Sequence, residues 1–278
     1  MKLSKRSKIR IIAGQIFYTM KRQVDWKLSG KKFATRKGDG STFPLVIFHH
    51  ETPLFRNLSK VDEWLQINKV RNLEIAVQKI NHLIIFPDEV FSLWLLLGKP
   101  TKSKGYMEGF ILDNGMVKPG IGGGLCQLAN LIFWMTLHTP LTVVERWRHS
   151  HDVFPDTGRK VPFGSGATCS YPSLDLQIKN TMDQPVQLCL KLSDSHLIGE
   201  WRSLAQFEYT YEVYEAFHEI TCDFGGQYLR HNILRRKVLN HEKQVILDEF
   251  ILENHALMMY QPLLNQNPES FRDSNKPA

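Results

Sequence analysis

Four glycines in five positions, Gly120-Ile121-Gly122-Gly123-Gly124, lead through Leu125 into Cys126 and then into QLANLIFWMTLH (127–138). That last stretch holds no glycine, proline or charged residue. A helix that is apolar on all sides has to be buried, so the run predicts a central helix of about three turns ending before Pro140. A glycine turn entering such a helix lets backbone approach a ligand and take positive φ. The N-terminus that follows offers unpaired N–H groups and partial positive charge. Cys126 stands at that junction. A cysteine there is favoured as thiolate, and the same N–H groups can hold an oxyanion during acyl transfer. The alternative is a structural cysteine on a buried helix. The turn is no Walker loop, because no Lys-Ser/Thr follows it. Its glycine spacing is not the dinucleotide fingerprint either.

A nucleophilic cysteine needs a base. ERWRHSHD (145–152) supplies His149 and His151; His149, at the end of a strand over 141–148, can fold back towards Cys126. Asp152, Asp156 or Asp175 can orient it. His149-x-His151 also suits a metal, but no third ligand stands at a fitting spacing; neither a metal nor an organic cofactor is expected. His49-His50-Glu51 reads as a loop. Cys169, Cys189 and Cys222 read as core or incidental, since no CxxC pair is present.

Around this centre the chain reads as α+β. An amphipathic helix is expected near 69–83, capped by Asn68 and carrying Val70, Leu73, Val77 and Ile80 at helical spacing. PLVIF (44–48) reads as a strand, FSLWLLLG (91–98) as a buried segment, and Asn114-Gly115 as a hairpin turn. After Pro140, LTVVERW, LDLQIKN, VQLCLKL, FEYTYEVYE and QVILDEFIL alternate as strands do. The C-terminal half is therefore expected to be a β-rich core packed on the helix that starts at Cys126. The expected divisions are a basic arm and linker over 1–45, a main domain over 46–200, a β-rich extension over 201–263 packed on it, and a flexible tail over 264–278.

Charge is uneven. Residues 1–40 hold twelve Lys/Arg against Asp25 and Asp39, in a chain whose net charge is +7. The arm is thus +10 and the remainder −3. Such an arm either solubilises or seeks a polyanion, with an anionic membrane surface ahead of nucleic acid, for which no binding motif is present. Ile11–Met20 reads as a short amphipathic element and not a signal peptide. No segment approaches the ~20 apolar residues of a membrane span. The expected location is cytoplasmic or peripheral at the membrane, unless an atypical export route exists.

Four stretches resemble one family. VRNLEIAVQKINHLIIFPDEVFSLW (70–94), GFILDNGMVKPGIGGGLCQLANLIFW (109–134), LTVVERWRHSHDVFP (141–155) and GATCSYPSLDLQIKN (166–180) are similar to the VanW family, accessory proteins of B-type glycopeptide-resistance clusters. The short format resembles its stand-alone members. The resemblance implies a link to peptidoglycan metabolism, and for some members L,D-transpeptidase activity on stem peptides or their precursors. It implies Cys126 as nucleophile, His149 as base and Asp175 as the supporting acid. Gly122, Gly123, Gly124, Gln127, Glu145, Arg146, Thr168 and Asn180 are implied substrate contacts. His151 has no clear counterpart, and Gly166 stands where the family commonly has aspartate. A binding protein for precursor or glycopeptide, or a scaffold on an anionic membrane, is the alternative.

Overall fold

The computed structural model describes residues 8–55, 62–113, 115–148, 150–154 and 160–262. His149, Asn114, Asp156 and the expected tail lie outside the described residues.

The chain opens with helix α1 (Lys8–Leu28), far longer than the short element expected over 11–20. Lys21-Arg22 does not end it, because the Arg22 guanidinium is received bidentately by Glu145 at 2.8 and 2.6 Å. The segment read as linker carries β1 (Lys32–Phe33), and Ala34 and Phe43 are core residues. β2 (Leu45–Pro53) continues through His49 and His50, so these histidines sit on a strand and not in a loop.

Helix α2 (Glu63–Ile80) starts upstream of Asn68. Asn68 is no cap; its amide donates to the Glu108 carbonyl (2.9 Å). The buried face runs through Leu65, Asn72, Leu73, Ala76, Val77 and Ile80, the three-and-four spacing of a helix on a core. Leu83 leaves the helix and begins β3 (Leu83–Ile85). β4 (Glu89–Ser92) runs into the short helix α3 (Leu93–Leu97), capped by the Ser92 hydroxyl, which accepts from Leu95 N–H. β5 (Glu108–Asp113) and β6 (Met116–Ile121) form the hairpin. Helix α4 (Cys126–Leu137) follows the glycine turn at once.

The remaining strands are β7 (Thr142–Glu145), β8 (His151–Asp152), β9 (Gln177–Lys179), β10 (Val186–Leu192), β11 (His196–Ser203), β12 (Thr210–Cys222), β13 (Tyr228–Leu239) and β14 (Val245–Met258). They build two four-stranded sheets, β1-β4-β9-β7 and β2-β11-β10-β3, and a long antiparallel meander, β12-β13-β14, extended by β8 in parallel. The fold is α+β with most strands after α4. α4 lies against β2, β11 and β7, with Leu128, Leu131, Ile132 and Met135 fully buried. Gly199 on β11 permits the close approach: a Cβ there would stand 2.7 Å from the Met135 methyl.

His138, at the C-terminal end of α4, is sandwiched in this layer. Its ring stacks on Phe48 (4.0 Å, 2°) and meets Trp134 edge-on at 4.6 Å. Nδ1 lies 3.1 Å from the Tyr211 carbonyl, and Nε2 is buried without a partner among the described residues. Burial first, then the nearby His50 and Arg236, push the imidazole down to about 4. An unfolded histidine titrates near ~6.5. On acidification the unfolded chain therefore takes this proton first. Stability from this group is full above ~6.5 and is lost as pH falls towards ~4, up to about 3 kcal/mol. Urea unfolding should show that loss, and His138→Phe, which keeps the stack and removes the proton site, should flatten it. Equal pH slopes in both proteins would contradict it.

Candidate active site

A cavity of about 770 Å³ opens where the glycine turn, the start of α4, the β5–β6 hairpin and segment 161–174 meet. Cys126, the first residue of α4, lines it half-buried. The turn that presents it is built by close backbone contact. A Cβ on Gly123 would lie 2.2 Å from the Gly109 backbone, and one on Gly124 would run into the Lys69 side chain at 2.1 Å. Gly122 and Gly124 take φ of +76° and +91°. The N–H groups of Gly122 and Gly123 donate to the Met107 and Gly120 carbonyls, so these two are committed within the turn. Lys69 is buried beside them, donating to the Leu54 carbonyl with its ammonium 5.6 Å from the Phe110 ring centre.

The immediate neighbour of Cys126 is a second thiol. Cys169 Sγ lies 3.7 Å from Cys126 Sγ, and the Cys126 thiol donates to the Cys169 carbonyl at 3.5 Å. Cys169 belongs to the core, as read from the sequence, and also lines the cavity. Its hydrogen bond to Cys126, then burial, then negative charge on Cys126, hold its own thiol well above the usual cysteine range. Of the pair, Cys169 is the thiol whose surroundings disfavour losing its proton.

Gln127 lines the cavity, and its amide donates to the Thr52 hydroxyl and the Pro53 carbonyl, both at 3.0 Å. Arg146 also lines it. Its guanidinium donates to the carbonyls of Gly164 and Gly166 and sits 5.0 Å from the Phe133 ring centre. Burial, then Arg148, lower it to about 10. Thr168 lines the wall with a buried hydroxyl that has no partner among the described residues.

Three residues implied as functional stand elsewhere. Asp175 is buried, accepting from the Ser92 hydroxyl (2.6 Å) and from the Trp94 and Leu176 N–H groups; burial raises its carboxyl. Glu145 is held by Arg22, the Trp147 indole and the Asp175 N–H. Its carboxyl stays below the usual range because those bonds outweigh the burial that would raise it. Asn180 ties Ile85, Gln184 and Met182 together inside the fold. None of the three borders the cavity. Asp175 and Glu145 brace the wall from behind, through Ser92, Trp94 and segment 171–175, and Asn180 fastens strands away from it.

Residues outside the implied set border it as well. His50 reaches in from β2, His151 from β8 and Asn254 from β14. His50 is pushed down by burial and then by His49. His151 Nδ1 is 2.8 Å from the Ser150 hydroxyl. The sequence sets His151 beside His149 and reads His50 as loop; no local motif marks Asn254, which the fold brings in from a distant part of the chain. Among the described residues no group of three or more His, Cys, Asp or Glu could hold a metal ion.

The family model described as "VanW like protein" matches residues 68–202, the span from α2 to the end of β11. The chain is also 31% identical over 219 residues to the vancomycin B-type resistance protein VanW of Enterococcus faecalis, covering 79% of this chain and 80% of that protein. The chain belongs to the VanW family. It is 32% identical over 126 residues to the uncharacterized protein YoaR of Bacillus subtilis, covering 45% of this chain and 40% of that one. No solved structure matches. The family match ends before the β12–β14 meander, so Asn254 enters the cavity from outside the matched region.

Gly166, where aspartate is common in the family, has a local cause. A Cβ there would stand 2.5 Å from Asn130 Oδ1. That oxygen accepts from the Ala167 N–H at 2.8 Å. Asn130 on α4 fills the volume an aspartate side chain would need.

Proposed function

We propose that this VanW-family protein is a cysteine acyltransferase acting on peptidoglycan stem peptides or their precursors, in a glycopeptide-resistance setting. The observation that carries the reading is the position of Cys126: half-buried, at a helix N-terminus, on the wall of a cavity large enough for a short peptide. The name of the Enterococcus relative supports the resistance setting.

The Cys126 thiolate attacks a stem-peptide carbonyl. The C–N bond breaks, the amine leaves with a proton from an imidazole, and a thioester remains. An acceptor amine then attacks the thioester, returns its proton to the imidazole and releases the thiolate. His149 is the base that the family resemblance implies. His151 stands two residues on, at the cavity. The turn and the first turn of α4 supply the positive end of a helix dipole to the developing oxyanion. Cys169, kept protonated, donates to the Cys126 sulfur and lowers the cost of its charge.

A second reading, reversible binding of precursor or glycopeptide without chemistry, draws on the commitment of Asp175 to bonds within the fold. The two separate in one experiment. Incubation with a stem pentapeptide should add one acyl fragment to the peptide containing Cys126, read by mass spectrometry. Saturable binding with no covalent species, and with affinity unchanged in Cys126→Ser, would favour the second.

A further inference from the structure

Helix α1 presents a surface that the proposed chemistry does not use. Ile9, Ile12, Ile16, Met20 and Val24 recur at steps of three and four, which places them along one side of the helix. All five lie between 53% and 81% exposed, with Phe17 at 61% beside them. The opposite flank is fixed to the body. Arg22 grips Glu145 and donates to the carbonyls of Pro172 and Ser173, and the Trp26 indole donates to the Ser92 hydroxyl at 3.2 Å. The stripe cannot turn inward without breaking these bonds.

Its surroundings define what would cover it. Arg10, Lys21 and Lys27 are exposed on the same helix, in a segment with twelve bases and two acids. The rest of the chain is net acidic. An apolar stripe flanked by basic residues matches the boundary of an anionic bilayer, where apolar side chains enter the acyl edge and cations meet the headgroups. No described helix is long and apolar enough to cross a membrane. We infer that α1 is an interfacial anchor that seats the protein on an anionic lipid surface.

The anchor also touches the candidate site. Tyr171 packs against Trp26 (6.5 Å) and Trp94 (5.9 Å), and both Tyr171 and Trp94 line the cavity. The helix that lies on the lipid therefore backs one cavity wall. This inference stands whether or not Cys126 performs acyl transfer.

Deleting residues 1–40 is not a clean test, because Trp26 and Ala34 belong to the core. The triple variant I12E/I16E/M20E alters only exposed positions and should leave the melting temperature within a few degrees of wild type. Sedimentation with vesicles of phosphatidylglycerol and phosphatidylcholine should pellet the wild-type protein, and phosphatidylcholine alone should not. The variant should partition about tenfold less or weaker still, and raised salt should weaken wild-type binding. Absence of binding to the anionic vesicles, or undiminished binding by the variant, overturns the inference. So does a lipid-free dimer that the variant abolishes while vesicle binding stays at background, because the stripe would then cover a second copy.

Discussion

Cys126→Ala is expected to lose both the thioester and the transferred product while the fold survives. Removing the attacking atom of a covalent mechanism leaves only binding and oxyanion contributions, so turnover should fall by roughly three orders of magnitude or more. The structural cost is small. The thiol is half-buried; it donates a long hydrogen bond to the Cys169 carbonyl and faces the Cys169 sulfur. Unfolding free energy should change by about 1 kcal/mol or less. Steady turnover of stem peptide by the variant, measured by product mass, would remove Cys126 from the chemistry. Cys169→Ala separates the two sulfurs: it should leave the thioester on Cys126 but slow its formation.

Gly123→Ala should have the largest effect on structure. Its Cβ would stand 2.2 Å from the Gly109 carbonyl group and 2.7 Å from Phe110 N. These are backbone atoms of the paired hairpin and cannot swing aside as the end of a long side chain can. The Asn72 amide fastens the same junction, donating to the carbonyls of Gly123 (2.9 Å) and Met107 (3.1 Å). Overpacking of this kind costs about 1–3 kcal/mol and more where backbone must move. The displacement also falls three residues before Cys126. The variant should melt several degrees lower and lose acylation even where it remains folded. Gly225→Ala, in the β12–β13 connection with its nearest neighbour at 3.3 Å, serves as the control glycine. Equal stability of Gly123→Ala and wild type would refute the close contact.

The axis of the site was legible because its signals are local. A glycine turn, a cysteine and an uncharged apolar run predict α4 and its entry, and α4 occupies the expected stretch. Strand alternation after Pro140 likewise matches β10, β12 and β14. What escaped depends on contacts across the chain. Cys169 lies 43 residues from Cys126, and nothing in GSGATCS distinguishes a partner thiol from a core one. His50 looked like part of a polar loop, since the apolar run of β2 stops at Phe48 and HHETP (49–53) continues the strand on polar residues. Asp175 and Glu145 sit on recognisable motif positions, yet a motif does not say whether a carboxylate faces substrate or braces a wall. Here Ser92, Trp94 and Arg22 claim them. Arg22 shows the same effect in α1: beyond the expected Ile11–Met20 element, its charge is met by Glu145, 123 residues away.

The account rests on Cys126 being a reachable thiolate, and competitive alkylation measures that directly. At about pH 6, where an ordinary thiol is mostly protonated, the intact protein is treated with limiting iodoacetamide and its cysteine peptides are quantified. Cys222, which is exposed, is the internal standard; Cys169 and Cys189 are held above the usual range, Cys189 chiefly by burial. Labelling of Cys126 at least tenfold ahead of Cys222, with Cys169 and Cys189 behind, is the predicted result. Cys126 labelling no faster than Cys222 would contradict it.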